Sequence, residues 1–185
     1  SHILFTRDKY IYKSLDKNIH RLDELTSLMK TKNLPSPSFP LSIDNLSKAK
    51  KKLSKLKNII AIGGSANWPA KVWPAKKFGE LINILLKDKN FKKNTSIVFF
   101  GSSRDKKDTR KIISYIKTKN IKNFCGKLNL LEVCAYLKKC KIFIGNDSGL
   151  MHIAATTGIP TIGLFGPSLE LRYGPRGKNA YFVRT

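Results

Sequence analysis

Asp147 is the only charged residue between Ile142 and Leu169, in a chain that elsewhere places a charge at roughly every third position, and it lies in Gly145-Asn146-Asp147-Ser148-Gly149-Leu150-Met151-His152. Apolar residues precede this segment and an Ala-rich helical pattern follows it, so Asn-Asp-Ser-Gly reads as a strand-to-helix turn. Such a turn in a parallel sheet faces ligands at the carboxyl ends of the strands, and the helix start offers unpaired N–H groups to an anion. Ser148 and Gly149 supply the candidate amides. Asp147 either caps the helix or receives a ligand's hydroxyls. His152 lies one turn after Ser148, where it could reach the same anion, donate a proton, or serve the fold alone.

Two further segments carry chemistry. Gly63-Gly64-Ser65-Ala66-Asn67-Trp68-Pro69-Ala70-Lys71-Val72-Trp73-Pro74 matches neither GxxxxGK[ST] nor GxGxxG, yet follows the logic of a phosphate loop. Paired glycines permit close backbone approach, Pro74 suits a first helical turn, and Lys71 is either a mobile cation for a phosphate or one more solvated lysine. Asp105 follows Phe99-Phe100-Gly101-Ser102-Ser103-Arg104 at a strand end. There it could accept bonds from ribose hydroxyls or act as a first-turn helix acid.

The elements that must position these residues alternate. Strands are expected at Ile59–Ile62, Ser96–Phe100, Ile121–Phe124, Lys141–Ile144 and Thr161–Phe165, with helices at Ala75–Leu86, Arg104–Lys117, Leu130–Lys138 and Leu150–Thr157. This βαβ series predicts an α/β fold, a Rossmann-like parallel sheet with helices on both faces. Residues 58–185 are assigned to that domain. Residues 1–57 divide into a helix over His20–Lys32, a Pro-rich linker at Pro35–Pro40 and an amphipathic helix over Ser42–Lys57 with Leu46, Ala49, Leu53 and Leu56 on one face. After the short apolar segment Ala180–Val183 no closing helix follows, so the expectation is of a truncated carboxyl terminus.

Composition narrows the classes. The 185 residues suffice for a domain that buries about 70% of its unfolded surface. Lys and Arg number 36 against 12 Asp and Glu, a formal charge of +24, which invites nucleic acid, an anionic membrane or a phosphorylated ligand. RRM, KH and helix-turn-helix signatures are absent, so no specific nucleic acid is expected; a basic binding module built around Lys48–Lys57 is the alternative from another class. Cys125, Cys134 and Cys140 lack ligand spacing and read as reduced core residues of a cytosolic protein. Leu150–Leu169 could span a bilayer by length, but its glycines and prolines mark a helix, a turn and a strand. No secretory signal is read at Ser1–Phe5.

Taken together, Pro69-Ala70-Lys71-Val72-Trp73-Pro74, Phe124-Cys125-Gly126-Lys127-Leu128-Asn129-Leu130, the segment Gly145–Ala155 and Leu164-Phe165-Gly166-Pro167-Ser168 resemble glycosyltransferase family 9, the ADP-heptose:lipopolysaccharide heptosyltransferases. The resemblance implies a GT-B architecture of two Rossmann-like domains, this chain supplying the carboxyl-terminal half, with His20–Leu34 as a crossing segment. It implies that Lys71 meets the donor diphosphate with help from Ala66 and Asn67, that Ser148 and Gly149 amides hold phosphate, that Asp105 meets ribose and that Leu128 packs on adenine. Asp147 would accept bonds from sugar hydroxyls, which suit a carboxylate better than a diphosphate does. No metal or other cofactor is expected. The acceptor would be a lipid-linked saccharide, reached from the cytoplasm at the inner face of the inner membrane. Gly63, Val72 and Trp68 depart from the family pattern, which usually has Pro, Arg and a small residue there, and this bears on which nucleotide-sugar is the donor. The base for inverting transfer belongs to the family's amino-terminal domain, so this chain should bind donor without turning over alone.

Overall fold

Short runs of branched and aromatic residues, too apolar to face water, form the central strands of a sheet whose two edge strands are more exposed. The structure is a computed structural model that describes residues 19–28, 37–89, 91 and 94–184. In chain order the elements are α1 (Arg21–Leu28), α2 (Ile43–Leu53), β1 (Lys57–Gly63), α3 (Ala75–Leu85), β2 (Thr95–Phe99), α4 (Lys106–Ile113) and β3 (Ile121–Asn123). They continue with α5 (Leu130–Leu137), β4 (Ile142–Asn146), α6 (Gly149–Thr156), β5 (Thr161–Phe165), α7 (Glu170–Tyr173) and β6 (Ala180–Arg184). The six strands are all parallel, in the order β3-β2-β1-β4-β5-β6. The chain winds outward from β1 in one direction and from β4 in the other, so this Rossmann-like sheet has its crossover reversal between those two strands.

Alternation along the strands divides the core. Ile60, Ile62, Ile97, Phe99 and Ile144 pack on one face against Phe78 and Ile82 of α3 and Ile112 of α4. Ala61, Val98 and Phe143 pack on the other against Ala49 and Leu53 of α2, Ala135 and Leu137 of α5, and Met151 and Ala154 of α6. Start signals are explicit for two of these helices. Ser42 with Asn45 caps α2, and Asn129 with Glu132 caps α5, each pair exchanging side-chain and backbone hydrogen bonds.

Several boundaries differ from expectation. β4 continues through Gly145 and Asn146, because Gly145 pairs with Gly63 of β1 and Asn146 with Leu164 of β5. The expected helix Arg104–Lys117 is a 3-10 turn at Ser103–Asp105 followed by the shorter α4. Ala180–Val183 lies within a sixth strand that pairs with β5. α1 covers the first part of His20–Lys32; Met29–Lys32 and Pro35–Ser36 fall outside the described residues. Leu150–Leu169 is indeed helix, turn and strand, and no helix among the described residues is long and apolar enough to cross a membrane.

Candidate functional site

The reversal between β1 and β4 brings the two chemistry-bearing turns side by side. Gly63 and Gly145 are register partners, and a Cβ on Gly145 would sit 2.7 Å from the Gly63 carbonyl oxygen. Only glycine admits that approach. Beyond β1 the chain makes a 3-10 turn at Pro69–Lys71, and the Trp73 amide then donates to Asn146 Oδ1 at 3.1 Å. Asn146 is fully buried. Its side chain therefore straps the Lys71 loop to the end of β4.

This strap delivers Lys71 to Asp147. The lysine Nζ lies 2.7 Å from Asp147 Oδ2, and Ser168 Oγ donates to the same oxygen at 2.5 Å. Asp147 is 5% exposed. Its carboxylate thus serves Lys71 and Ser168. The residue at the N-cap of α6 is Ser148, with extended backbone and no side-chain cap bond, so the helix-cap reading of Asp147 does not hold. Lys71 Nζ also lies 5.8 Å from the centre of the Tyr173 ring, within reach of a cation–π attraction.

At the start of α6 the groups are poised for something else. Ser65 Oγ, Ser148 Oγ and Asn146 Nδ2 are buried and have no hydrogen-bond partner among the described residues. Buried polar groups are rarely left so, and clusters of them point to a ligand or ordered water. A Cβ on Gly149 would meet nothing within 4 Å. The space above the first amides of α6 is open.

Asp105 stands at the end of the β2 connection. Its Oδ2 accepts from the Ser102 amide at 2.6 Å and the Ser102 hydroxyl at 2.9 Å, so it does act as a helix-start acid; Oδ1 has no partner among the described residues. A Cβ on Gly101 would approach Asp105 Oδ2 to 2.8 Å. His152 is exposed on α6. Partial loss of hydration lowers its pKa from the usual histidine value; the Asp147 carboxylate opposes this, and His20 and Lys71 reinforce it.

One cavity of about 570 Å³ joins these groups. Lys71, Ala66, Asn67, Ser148, Gly149, His152, Asp147, Asp105 and Leu128 all line it, together with Ser65, Trp68 and Phe100. Sequence reasoning missed Ser65, the strap made by Asn146, the Ser168 bond and the Tyr173 ring. Ser168 meets Asp147 only because β4 and β5 are neighbours, which no local spacing announces. The three cysteines are buried and form no disulfide; burial pushes the Cys140 thiol up to about 12.

Comparison with known proteins identifies the family and the fold. The sequence profile of glycosyltransferase family 9 (heptosyltransferase) matches residues 2–185. The chain is 30% identical over 199 residues to lipooligosaccharide heptosyltransferase 2 of Campylobacter jejuni, covering 98% of this chain and 58% of that protein. It is 32% identical over 124 residues to lipopolysaccharide heptosyltransferase 2 of Escherichia coli K12, covering 65% and 34% respectively. Among solved structures, a family 9 glycosyl transferase from Veillonella parvula superposes with TM-score 0.78 at 25% identity, over 90% of this chain and 49% of that one. ADP-heptose lps heptosyltransferase II of E. coli does so with TM-score 0.70 at 28% identity, over 85% and 49%. The chain spans 58% or less of the length of each of these proteins. A profile match over nearly every residue, on a sheet that superposes on GT-B glycosyltransferases, establishes that this chain belongs to glycosyltransferase family 9.

Proposed function

We propose that this chain is the donor-binding half of an inverting heptosyltransferase that moves heptose from ADP-heptose to a lipopolysaccharide core acceptor. One observation carries the reading. Two buried hydroxyls, Ser65 and Ser148, have no partner among the described residues and line one cavity with Lys71 and with Gly149 at the start of α6, a set of donors matched to the oxygens of a diphosphate. In this reading Lys71, Ser148 and Gly149 hold the diphosphate, Ala66 and Asn67 shape the loop around it, and His152 reaches the same anion. Asp147 takes sugar hydroxyls, Asp105 offers its remaining oxygen to ribose, and Leu128 packs on adenine. Residues 58–185 form the nucleotide-sugar domain and residues 1–57 lead into it.

Catalysis in such a site is electrostatic. As the sugar leaves, negative charge grows on the diphosphate, and the Lys71 ammonium and the helix-start amides stabilise it without a metal. The base that takes the acceptor's proton is assigned to an acceptor-binding half, so the chain alone binds donor without turnover. The acceptor is lipid-linked in this reading. Surface lysines favour an anionic cytoplasmic leaflet by roughly 1 kcal/mol each.

Calorimetric titration with ADP, ADP-heptose and UDP tests the proposal. ADP and ADP-heptose should bind, UDP should compete poorly, and Lys71→Ala should weaken both adenine ligands by about 1.5–3 kcal/mol through loss of a charge-assisted hydrogen bond. Unchanged ADP affinity in Lys71→Ala would remove that residue from the diphosphate site; tighter binding of UDP would point to another donor within the same family.

A further inference from the structure

The cation assigned to the diphosphate is engaged by the acid assigned to the sugar. We propose that this Lys71–Asp147 ion pair is a latch that makes Asp147 a specificity-determining residue: it favours a sugar-bearing nucleoside diphosphate over the bare nucleotide and promotes release of the latter after transfer. This rests on the donor-binding reading above.

The argument is one of partners. Asp147 Oδ2 has Lys71 Nζ at 2.7 Å and Ser168 Oγ at 2.5 Å, in a position 5% exposed. A diphosphate settling at Ser148 and Gly149 draws Lys71 toward itself. Asp147 then keeps Ser168 as its partner and little access to water, and a buried carboxylate stripped of its counter-charge is costly. A carboxylate is an acceptor only, and sugar hydroxyls are donors. A ligand carrying a sugar therefore compensates the acid as it takes the lysine, whereas bare ADP takes the lysine and leaves the acid uncompensated. Once the sugar has moved to the acceptor, Asp147 recaptures Lys71 and the hold on the remaining diphosphate weakens. Linkage makes the relation reciprocal: whatever satisfies Asp147 frees Lys71 for phosphate.

The test is a double-mutant cycle read by calorimetry with ADP and ADP-heptose, with thermal melts confirming that each variant folds. Asp147→Asn keeps the shape and an acceptor for Ser168 but releases Lys71. It should tighten ADP on the order of five- to tenfold, leave ADP-heptose unimproved or weaker, and so erase the preference for the sugar-bearing ligand. In a Lys71→Met background the same substitution should give no tightening. Lys71→Gln, which can still donate to Asp147, replaces Lys71→Met if that variant does not fold. Tightening that persists without the lysine would mean simple repulsion between carboxylate and diphosphate, and would overturn the latch. ADP affinity unchanged in Asp147→Asn, in a wild type that binds both ligands, would overturn the latch alone. A wild type that binds neither ligand would overturn the donor-site reading and the latch together.

Discussion

Gly149 separates what the fold needs from what a ligand needs. Most glycines near the cleft are confined by neighbours; at Gly149 an added methyl group meets no atom within 4 Å, and the residue is the first of α6. The fold would accept alanine there, and alanine favours a helix over glycine by up to about 1 kcal/mol. Gly149→Ala should therefore leave the melting temperature unchanged or raised. The same methyl group stands over the amides proposed to hold phosphate, and a methyl forced into occupied space costs roughly 1–3 kcal/mol. ADP affinity should fall roughly tenfold or more by calorimetry. Equal ADP binding in the folded variant would move the diphosphate away from the start of α6. The pairing of a stable fold with lost binding is what distinguishes a ligand-facing glycine from one that packs.

The strap between elements is Asn146, the last residue of β4, which holds the Trp73 amide just before α3. Asn146→Ala leaves that amide without its acceptor, and an unsatisfied buried donor costs about 1–3 kcal/mol. The variant should unfold at lower denaturant concentration by that amount and bind ADP more weakly, since the Lys71 loop loses its tether. If stability falls while ADP binding holds, the loop is positioned by its 3-10 turn alone. This element also marks how far the sequence can be read. The strand-helix alternation was visible because branched and aromatic runs such as Ile59–Ile62 and Ser96–Phe100 have no other stable environment than a buried strand. Gly145-Asn146 has poor strand character and joins β4 only through its pairing with β1 and β5. The helix expected over Arg104–Lys117 starts later, because Ser102 and Asp105 close a local box that makes a tighter turn first. In the cleft, Lys71, Asp147, Ser148 and Asp105 announced themselves by residue type at strand ends. Ser65 and Ser168 did not: neither stands beside a lone acid at an expected helix start, as Ser148 does, and Ser168 lies 21 positions after Asp147 in the chain.

At the scale of the molecule, 12 acids stand against 36 basic residues, and several of the scarce acids act as fasteners. Glu24 of α1, 4% exposed, receives Arg21 at 2.5 Å and Arg172 of α7 at 2.6 Å. Asp23 pairs with Arg176, His20 Nε2 lies 3.0 Å from the Gly174 carbonyl oxygen, and Glu170 of α7 pairs with Arg184 of β6. Together they clasp α1 to the chain that follows Ser168, which carries the Tyr173 ring beside Lys71. A net charge of +24 repels itself over distances that salt shortens, the screening length being about 10 Å at 0.1 M. Added salt should then stabilise the protein by relieving long-range repulsion, while the buried Glu24 pairs, unlike an exposed pair such as Lys48–Asp44, are screened little. Glu24→Gln should lower stability by about 1–3 kcal/mol, below the full cost of breaking a buried pair because Arg21 remains partly exposed, and speed hydrogen exchange across residues 21–28. Melting curves in low and high sodium chloride should rise in parallel for wild type and variant, with the gap between them preserved. A gap that closes at high salt would show the clasp to be a surface pairing and would remove Glu24 as the buried fastener of α1.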